Sequence, residues 1–304
     1  MSTNPLVSII TPSYNKGEFI EETIQSVLNQ TYHNIEHIII DGNSTDNTIQ
    51  ILREFPHLTW ISEPDNGQTD AINKGLKRAN GEILAYLNAD DTYLPDTIET
   101  IVNVFRKQPE TCLIYGDIIH TDKNSNVINI HKTGNIDLER FISHRFYLPQ
   151  PTVFFRQDVL ANTGMFDDSL HLAMDYDYWL RTFPNYPSQY INKPLATAKF
   201  YQEAKSIALN FKYIEERVQV LNKFYGISEN LSRYKKVQKK AYSLAHFLGA
   251  HDYFRIKRWD KGLYHLRKSI QIYPLIITSG NFYKTTGGTL LRLTRILKRC
   301  QIPD

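Results

Sequence analysis

The sequence predicts an α/β protein with a mostly parallel, mixed sheet flanked by helices, followed by a helical C-terminal region. Apolar runs alternate with segments of helical period through the first hundred residues, which is the pattern of a parallel sheet covered by helices. Polar or turn-forming residues follow four of the predicted strands, at the edge where open α/β sheets bind their ligands. The length of 304 residues favours two domains.

The first half of the predicted sheet alternates strictly with helices. The predicted strands cover residues 6–10, 35–40, 58–62 and 82–87. The isoleucine-rich strand at 35–40 indicates burial on both faces. The predicted helices are one with apolar positions Ile20, Ile24, Val27 and Leu28, one over 46–54, one over 69–80, and one that opens at Pro95 and Asp96.

The pattern changes after residue 112. Turn residues at 122–126 separate two β-prone runs and predict a hairpin. Further strands are expected over 113–119, 152–155 and 196–200, and a helix over 174–181. Beyond residue 206 the sequence is almost entirely helical in character. We therefore predict a first domain over 1–205 and a second over 206–304.

Charge is divided unequally between the two ends of the chain. Residues 231–304 hold 16 Lys and Arg against 3 Asp and Glu, whereas residues 1–230 hold 19 against 29. The acidic part would need a cation before it could hold a phosphate. The only cysteines are Cys112 and Cys300, which excludes a disulfide framework and a cysteine-based zinc site. With no signal peptide or membrane span in the sequence, we expect a cytoplasmic protein.

The last predicted helix, over 289–299, has a leucine stripe and an arginine stripe. The stripes are formed by Leu290, Leu293 and Leu297 and by Arg292, Arg295 and Arg299. One interpretation is peripheral contact with an anionic membrane on the inner face of the plasma membrane. The other is a helix docked on its own domain with a solvated basic face. No stacking or groove-reading motif indicates a nucleic-acid partner.

Four polar clusters follow the predicted strands, at residues 11–15, 41–46, 63–67 and 88–91. Asp90 and Asp91 stand out because two adjacent carboxylates repel each other unless a cation or hydrogen-bond donors compensate. Mg²⁺ or Mn²⁺ typically binds through one or two carboxylates plus substrate phosphates. The alternative, that the pair caps the next helix, is weakened because Pro95 comes four positions after Asp91.

Five ordered segments of the chain resemble the signatures of family 2 glycosyltransferases with the GT-A fold. The segments are VSIITPSYN (7–15), EETIQSVLNQ (21–30), IDGNSTDNT (40–48), DAINKG (70–75) and LNADD (87–91). The resemblance runs over roughly residues 5–205, which is about two thirds of the chain. It implies a Rossmann-like catalytic domain that binds a nucleotide-diphosphate sugar.

The resemblance also implies roles for individual residues. Pro12 and Tyr14 match the loop that packs on the base, and Asp41 matches the carboxylate that reads it. Asp70 and Asn73 belong to the segment that lines the nucleotide pocket, and Gly67 of the polar cluster at 63–67 is a further predicted binding residue. Asp90 matches the contact to ribose or metal, and Asp91 matches the ligand of the Mn²⁺ or Mg²⁺ ion that bridges the diphosphate.

The segment MDYDYWLR (174–181) resembles the helix start that carries the catalytic base in this family, with Asp175 at the matching position. The alternative for Asp175 is stabilisation of the helix dipole. Two departures reduce the negative charge of the site, because Asn88 replaces the first carboxylate of the usual Asp-x-Asp pattern and Met174 replaces an acid that often precedes the base.

The predicted function is metal-dependent, inverting transfer of a single sugar to a hydroxyl group of a glycan or lipid-linked glycan, as in synthesis of a cell-envelope polysaccharide. UDP is the expected nucleotide, with GDP and dTDP as alternatives. Two other functions stay open: nucleotidyl transfer on a similar fold, and a non-catalytic nucleotide- or partner-binding protein with a helical interaction tail.

Overall fold

The computed structural model describes residues 2–204 and 209–278. Within them the chain forms two compact units, the first from residues 2–138 and 146–204, and the second from residues 139–145 and 209–278. The predicted domain boundary at residue 205 falls in the stretch that is not described. Nothing in the sequence indicated that residues 139–145 would join the helical unit.

The first unit is built on one mixed sheet. Its strands are β1 (Val7–Ser13), β2 (Ile35–Asp41), β3 (Thr59–Ser62), β4 (Ile83–Tyr86), β5 (Thr92–Tyr93), β6 (Leu113–Thr121), β7 (Val127–His131), β8 (Phe154–Arg156) and β9 (Ser188–Lys199). They pair in the order β3-β2-β1-β4-β8-β6-β9-β5, with β7 pairing β6. β1 to β4 are parallel to one another, and β8 is antiparallel to both β4 and β6.

The helices follow the predicted order. Those of the first unit are α1 (Ile20–Leu28), α2 (Thr48–Arg53), α3 (Gln68–Leu76), α4 (Thr97–Lys107), α6 (Gln157–Thr163) and α7 (Met174–Thr182). The second unit contains α5 (Leu138–Ile142), α8 (Tyr213–Gly226), α9 (Ser228–Arg255) and α10 (Trp259–Ile272), although the first residue of α5 belongs to the first unit.

Packing explains why these elements form where they do. On α4 the predicted apolar face is buried, at Ile98, Ile101, Val102 and Phe105, and it packs with β1 and β4 in one core. Full burial of one such side chain contributes about 1.5–3 kcal/mol. α3 approaches β1 so closely that a Cβ atom on Gly75 would lie 2.4 Å from Ile10 Cγ2. The absence of a side chain at Gly75 therefore permits this close packing of α3 on the strand.

The predicted hairpin is present and is tied to α1. β6 and β7 pair in antiparallel fashion, with His120 opposite Asn129. At the hairpin tip, Lys123 Nζ lies 2.9 Å from Glu18 Oε1, and Ser125 Oγ donates to Glu22 Oε1 at 2.9 Å. The almost fully buried Lys199 of β9 adds an ion pair of 2.7 Å to the same glutamate.

Several predicted boundaries differ from the structure. α3 ends at Leu76 rather than at residue 80. β9 begins at Ser188, eight residues before the predicted start, because its first half is mostly polar and is followed by Pro194, which conceals a strand. That half pairs with β6 through register shifts on either side of Asp117. The two-residue strand β5 is too short to leave a sequence pattern.

The second unit is helical over its described residues outside the turns. Leu244, Phe247 and Ile276 form its buried cluster, and Ser243 Oγ donates to the Ser269 carbonyl at 2.9 Å between α9 and α10. Among the helices of residues 2–204 and 209–278, none has the length and apolar character that crossing a bilayer requires. The predicted amphipathic helix at 289–299 lies outside the described residues, so its membrane contact and the cytoplasmic location stay predictions.

Candidate nucleotide-sugar site

The ends of β1 to β4 lie side by side at one edge of the sheet. Ser13 of β1 is opposite Asp41 of β2, and Asp41 is opposite Ser62 of β3. β4 runs parallel to β1 on its other side, with Tyr86 opposite Ile10. The parallel arrangement therefore brings the polar segments that follow these four strands to the same edge, as expected for an open α/β sheet.

Asp41 is fully buried at this edge. Its carboxylate accepts hydrogen bonds from Ser44 N at 2.9 Å, from Ser44 Oγ at 2.5 Å and from Ser62 Oγ at 2.7 Å. The neighbouring Pro12 is buried within β1, whereas 60% of Tyr14 is exposed. An exposed ring beside a fixed carboxylate is a suitable arrangement for stacking and reading a base.

The loop that carries Tyr14 is fastened to the loop after β2. Asn15 lies in the left-handed region at φ 48°. Its backbone N–H donates to Ser44 Oγ in the loop after β2 at 2.7 Å. In return, Thr45 N donates to Asn15 Oδ1 at 2.8 Å. Gly17 N donates to Asp46 Oδ2 at 3.0 Å. Reciprocal bonds of this kind hold the position of the exposed tyrosine before a ligand arrives.

Asp91 is 5% exposed, so a negative charge on its carboxyl group is poorly solvated. Burial and the neighbouring charge of Asp90 raise the pKa of Asp91 to about 8. Asn88 Nδ2 donates to Asp91 Oδ2 at 3.0 Å, and Gln68 Nε2 donates to Asn88 Oδ1 at 2.7 Å. Asn88, which stands where the family commonly has a carboxylate, therefore stabilises Asp91 by donating a hydrogen bond to it.

Asp90 is held by two partners that the sequence analysis did not assign to the site. Lys16 Nζ lies 2.6 Å from Asp90 Oδ2, and the Tyr201 hydroxyl donates to the same oxygen at 2.5 Å. Lys16 Nζ also donates to Tyr201 Oη at 2.7 Å. The ammonium group thus supplies the positive charge beside Asp90.

The predicted pocket residues on α3 and just before it hydrogen-bond mainly to other groups of the protein. Asn73 is buried, and its amide exchanges bonds of 2.9 Å and 3.0 Å with the backbone of Phe166 and donates to Asp168 Oδ1 at 2.5 Å. Asp70 Oδ2 accepts from Asn66 N at 3.0 Å, and this bond lowers the pKa of Asp70. Gly67 has φ 108°, a conformation that favours glycine, and its N–H donates to Asp65 Oδ1 at 2.8 Å.

α3 also positions the segment that leads into α7. Thr69 Oγ1 donates to the Leu170 carbonyl at 2.5 Å, and Asn73 holds Phe166 and Asp168. Asp175 lies in the first turn of α7 and is half-buried. Asp177, by contrast, is buried and paired with Arg181 Nε at 2.9 Å. The two acids of this helix start therefore have different surroundings.

The hydroxyl of Tyr147 responds to the charge of one carboxylate after β4 and of one at the start of α7. Desolvation of its hydroxyl, together with the charges of Asp91 and Asp175, raises the pKa of Tyr147. Both carboxylates therefore lie within electrostatic range of one hydroxyl group. No short sequence pattern could have identified this tyrosine, because residues 91, 147 and 175 are brought together only by the fold.

The donor set suits a divalent cation that is shared with a phosphate. Asp91 is a buried carboxyl whose raised pKa a cation would lower, and Asp90 lies beside it. Over residues 2–204 and 209–278, no group of three or more His, Cys, Asp or Glu side chains is arranged to bind a metal by itself. Mg²⁺ and Mn²⁺ sites with one or two carboxylates are commonly completed by substrate phosphates.

These features define an α/β protein with an acidic ligand site at the carboxyl ends of parallel strands. The sequence model of glycosyl transferase family 2 matches residues 8–166. The chain belongs to this family.

Relatives with known sequences agree with this assignment. The chain is 30% identical to the chondroitin synthase of Escherichia coli over 239 residues, which are 75% of this chain and 33% of that protein. It is also 30% identical to an uncharacterized glycosyltransferase of Mycobacterium tuberculosis, over 60% of this chain and 70% of the relative. An uncharacterized glycosyltransferase of Rickettsia conorii matches at 30% over 66% of this chain and 35% of its own length. The chain thus spans about one third of the length of several relatives.

Solved structures show the same fold. S. aureus TarS 1-349 in complex with UDP-GlcNAc superposes with a TM-score of 0.68 at 17% identity, over 90% of this chain and 82% of that one. The mannosyltransferase PcManGT from Pyrobaculum calidifontis, in complex with GDP-Man and Mn²⁺, superposes with a TM-score of 0.62 at 18% identity, over 93% and 81%. The predicted GT-A fold with a helical C-terminal region is confirmed.

Proposed function

We propose that residues 1–205 form a catalytic domain that transfers one sugar from a nucleotide-diphosphate sugar to a hydroxyl group of a glycan or lipid-linked glycan. The observation that carries this proposal is that buried Asp91 follows β4 at the sheet edge where Asp41 is in register with Ser13 and Ser62, while half-buried Asp175 starts α7. One carboxylate is at the end of a strand in the predicted donor site, and the other is at a helix start where an acceptor proton would be taken.

The donor side is assigned to the strand ends. Tyr14 would pack on the base, and Asp41, already fixed by Ser44 and Ser62, would accept a hydrogen bond from it. A UDP-sugar is the favoured donor class, and the neighbours with UDP-GlcNAc and with GDP-Man and Mn²⁺ support a nucleotide sugar in general. Asp91, with Asp90 beside it, would hold Mn²⁺ or Mg²⁺, which offsets the negative charge that develops on the leaving diphosphate.

The acceptor side is assigned to Asp175. As the acceptor oxygen attacks the anomeric carbon, the bond from that carbon to the diphosphate oxygen breaks, and the hydroxyl proton passes to the Asp175 carboxylate. A single displacement of this kind inverts the anomeric configuration. Asp177 is excluded from this role because Arg181 already binds its carboxylate.

Calorimetric titration of the purified protein with UDP, GDP and dTDP, each with and without Mn²⁺, tests the proposal. We expect one nucleotide to bind in a metal-dependent manner, and Asp91→Asn to weaken that binding by about 10–100-fold. Asp158→Asn is the matched control, because Asp158 follows β8 at the opposite edge of the sheet, near the start of β4.

Two results would contradict the proposal. Absence of binding by every nucleotide, with and without Mn²⁺, would favour the alternative of a non-catalytic binding protein. Equal nucleotide affinity in Asp91→Asn and the wild type would remove Asp91 from the metal site. Product analysis after incubation with the matching nucleotide sugar then distinguishes sugar transfer from nucleotidyl transfer.

A further inference from the structure

We propose that four ring-bearing residues next to the predicted catalytic carboxylates bind a pyranose ring of the acceptor. The residues are His120 of β6, His131 of β7, Tyr147 and Phe200, and together they are called the acceptor surface. This inference rests on the proposed function, since it assigns a location and a chemistry to the second substrate of that reaction.

The four rings form a continuous cluster although they come from distant parts of the chain. The centroid of the His120 ring lies 4.5 Å from that of Phe200 and 6.0 Å from that of Tyr147. The Tyr147 and His131 centroids are 5.0 Å apart. The register of the sheet creates the cluster, because β6 pairs with β7 and with the end of β9, and Phe200 N donates to the Thr121 carbonyl at 2.7 Å.

Two of the rings face solvent to an unusual degree. Tyr147 is 48% exposed and Phe200 is 43% exposed. Neighbouring large aromatic side chains left in contact with water commonly mark a binding surface. The C–H groups on the face of a pyranose ring carry partial positive charge and pack well on the negative face of an aromatic ring.

Buried polar atoms beside these rings provide the second requirement of a sugar, which is hydrogen bonding. His120 is 9% exposed, and its Nδ1 pairs with Asn129 Oδ1 at 2.9 Å. Its Nε2 and the buried Thr121 Oγ1 have no hydrogen-bond partner within the part of the chain that the structure describes. Because unpaired buried polar atoms are unfavourable, hydroxyl groups of a bound ligand would gain by pairing with them.

The position of the surface distinguishes an acceptor from other ligands. β5 directly follows Asp91 and pairs with β9 at Thr197, and β9 pairs on its other side with β6, where Ala198 is opposite His120. A sugar ring packed on this surface would therefore lie beside the predicted donor site, where an acceptor hydroxyl has to reach the anomeric carbon. A lipid chain would gain nothing from the unpaired polar atoms. The nucleotide base already has a predicted position at Tyr14, on the loop after β1.

The experiment uses methyl β-glycosides of N-acetylglucosamine, glucuronic acid, galactose and mannose as probes. Saturation-transfer-difference NMR measures their binding to the full chain loaded with the preferred nucleoside diphosphate and Mn²⁺. The variants are Tyr147→Ala and Phe200→Ala. The controls are Tyr147→Phe, which keeps the ring, and Ile128→Ala, which removes an exposed side chain from the opposite face of β7.

We expect at least one glycoside to bind the wild type and to bind each alanine variant about tenfold more weakly. Both control variants should stay within about twofold of the wild type, because Tyr147→Phe keeps the ring that packs on the sugar and Ile128 lies on the other face of β7. Thermal unfolding of the same samples should show that all four variants are folded, and calorimetry should show unchanged nucleotide affinity in Phe200→Ala and Ile128→Ala.

Two outcomes would overturn this inference and leave the proposed function intact. One is equal glycoside affinity in the wild type and both alanine variants. The other is no glycoside binding to a wild type that binds its nucleotide. If no nucleotide binds at all, the proposed function fails first, and the acceptor surface fails with it.

Discussion

Two pairs of residues predicted for the nucleotide pocket, Asp70 with Asn73 and Asp90 with Asp91, differ in what the fold does with them. The amide of Asn73 is bound to the segment at 166–168, and the pKa of Asp70 is lowered by a backbone donor. The pKa of Asp91 is raised by burial and by Asp90. The first pair stabilises the fold, whereas Asp91 costs stability that a bound cation would recover.

For Asn73 and Asp91, this difference separates a residue that shapes the site from a residue that is available to a ligand. A carboxylate or amide with partners in its own fold contributes free energy of folding even when no ligand is present. A buried carboxyl with a raised pKa is destabilising, and such groups are concentrated at functional sites. Sequence resemblance alone cannot make this distinction, since both pairs lie in matched segments.

The largest expected effect falls on Asp175, which follows the segment that Asn73 holds. Asp175→Asn should reduce sugar transfer by about 10²–10⁴-fold, because the amide cannot take the acceptor proton. Nucleotide affinity should be unchanged. Release of nucleoside diphosphate, measured with the glycoside that binds the wild type, checks the rate. Unchanged turnover in the variant would remove Asp175 from the role of base.

A smaller effect is expected when the hydrogen bonds of the Asn73 amide to Phe166 and Asp168 are removed. Asn73→Ala leaves the Phe166 backbone groups without their partners, so urea unfolding should show a loss of about 1–3 kcal/mol. Nucleotide affinity should change by less than about threefold, because the strand ends that would bind the nucleotide are unchanged. Asn162→Ala is the control, because this exposed helix residue makes one hydrogen bond to its own helix. A large loss of affinity with normal stability would instead make Asn73 a ligand-binding residue.

The smallest expected effect is on the pH dependence of thermal stability, to which Asp91 and Asp70 contribute with opposite signs. The pKa of Asp91 is above its ordinary value of 3.8 in the folded state, so the fold retains a proton that the unfolded chain releases. Stability is therefore lost as pH rises from about 4 to about 8. Without metal, Asp91→Asn should raise the Tm at pH 8 by roughly 2–4 °C for each 1 kcal/mol regained, and by less at pH 5.

Asp70→Asn provides the matched comparison with the opposite sign. The folded pKa of Asp70 is lowered, so its contribution is present above the ordinary pKa of 3.8 and is lost as pH falls through the folded value. Its variant should be slightly less stable than the wild type at pH 5 and at pH 8. Thermal scans of both variants at the two pH values check this pair. A lower Tm for Asp91→Asn at pH 8 would refute the electrostatic difference between the pairs.

The sequence was sufficient to predict the elements with strong local patterns. β1 to β4, α4 and the hairpin appear close to their expected positions, because hydrophobic period and turn residues are local signals. The row of polar strand ends was also predictable, since parallel strands must end at one edge. β9 was predicted too short, because its polar first half is stabilised by pairing with β6 rather than by its own composition.

The partners of the site residues were less predictable. Lys16 and Tyr201 meet at Asp90 although they are 185 positions apart in the chain. The charges of Asp91 and Asp175 both act on Tyr147, which lies in a loop with no distinctive motif. These contacts depend on how β4, β6 and β9 are ordered in the sheet. No periodicity within a single segment carries that information.

The anchoring of the β6–β7 hairpin has a consequence for the rate of substrate capture. Its tip is held by Lys123 to Glu18, just before α1, and by Ser125 to Glu22 of α1, and Lys199 pairs with the same Glu22. A surface carried by a braced hairpin is formed before its ligand arrives, so encounter with the ligand needs no prior ordering of a loop. Association should then depend on diffusion and orientation. Raising the salt concentration weakens exposed ion pairs such as Lys123 with Glu18, and would slow the capture of an uncharged glycoside by loosening the hairpin.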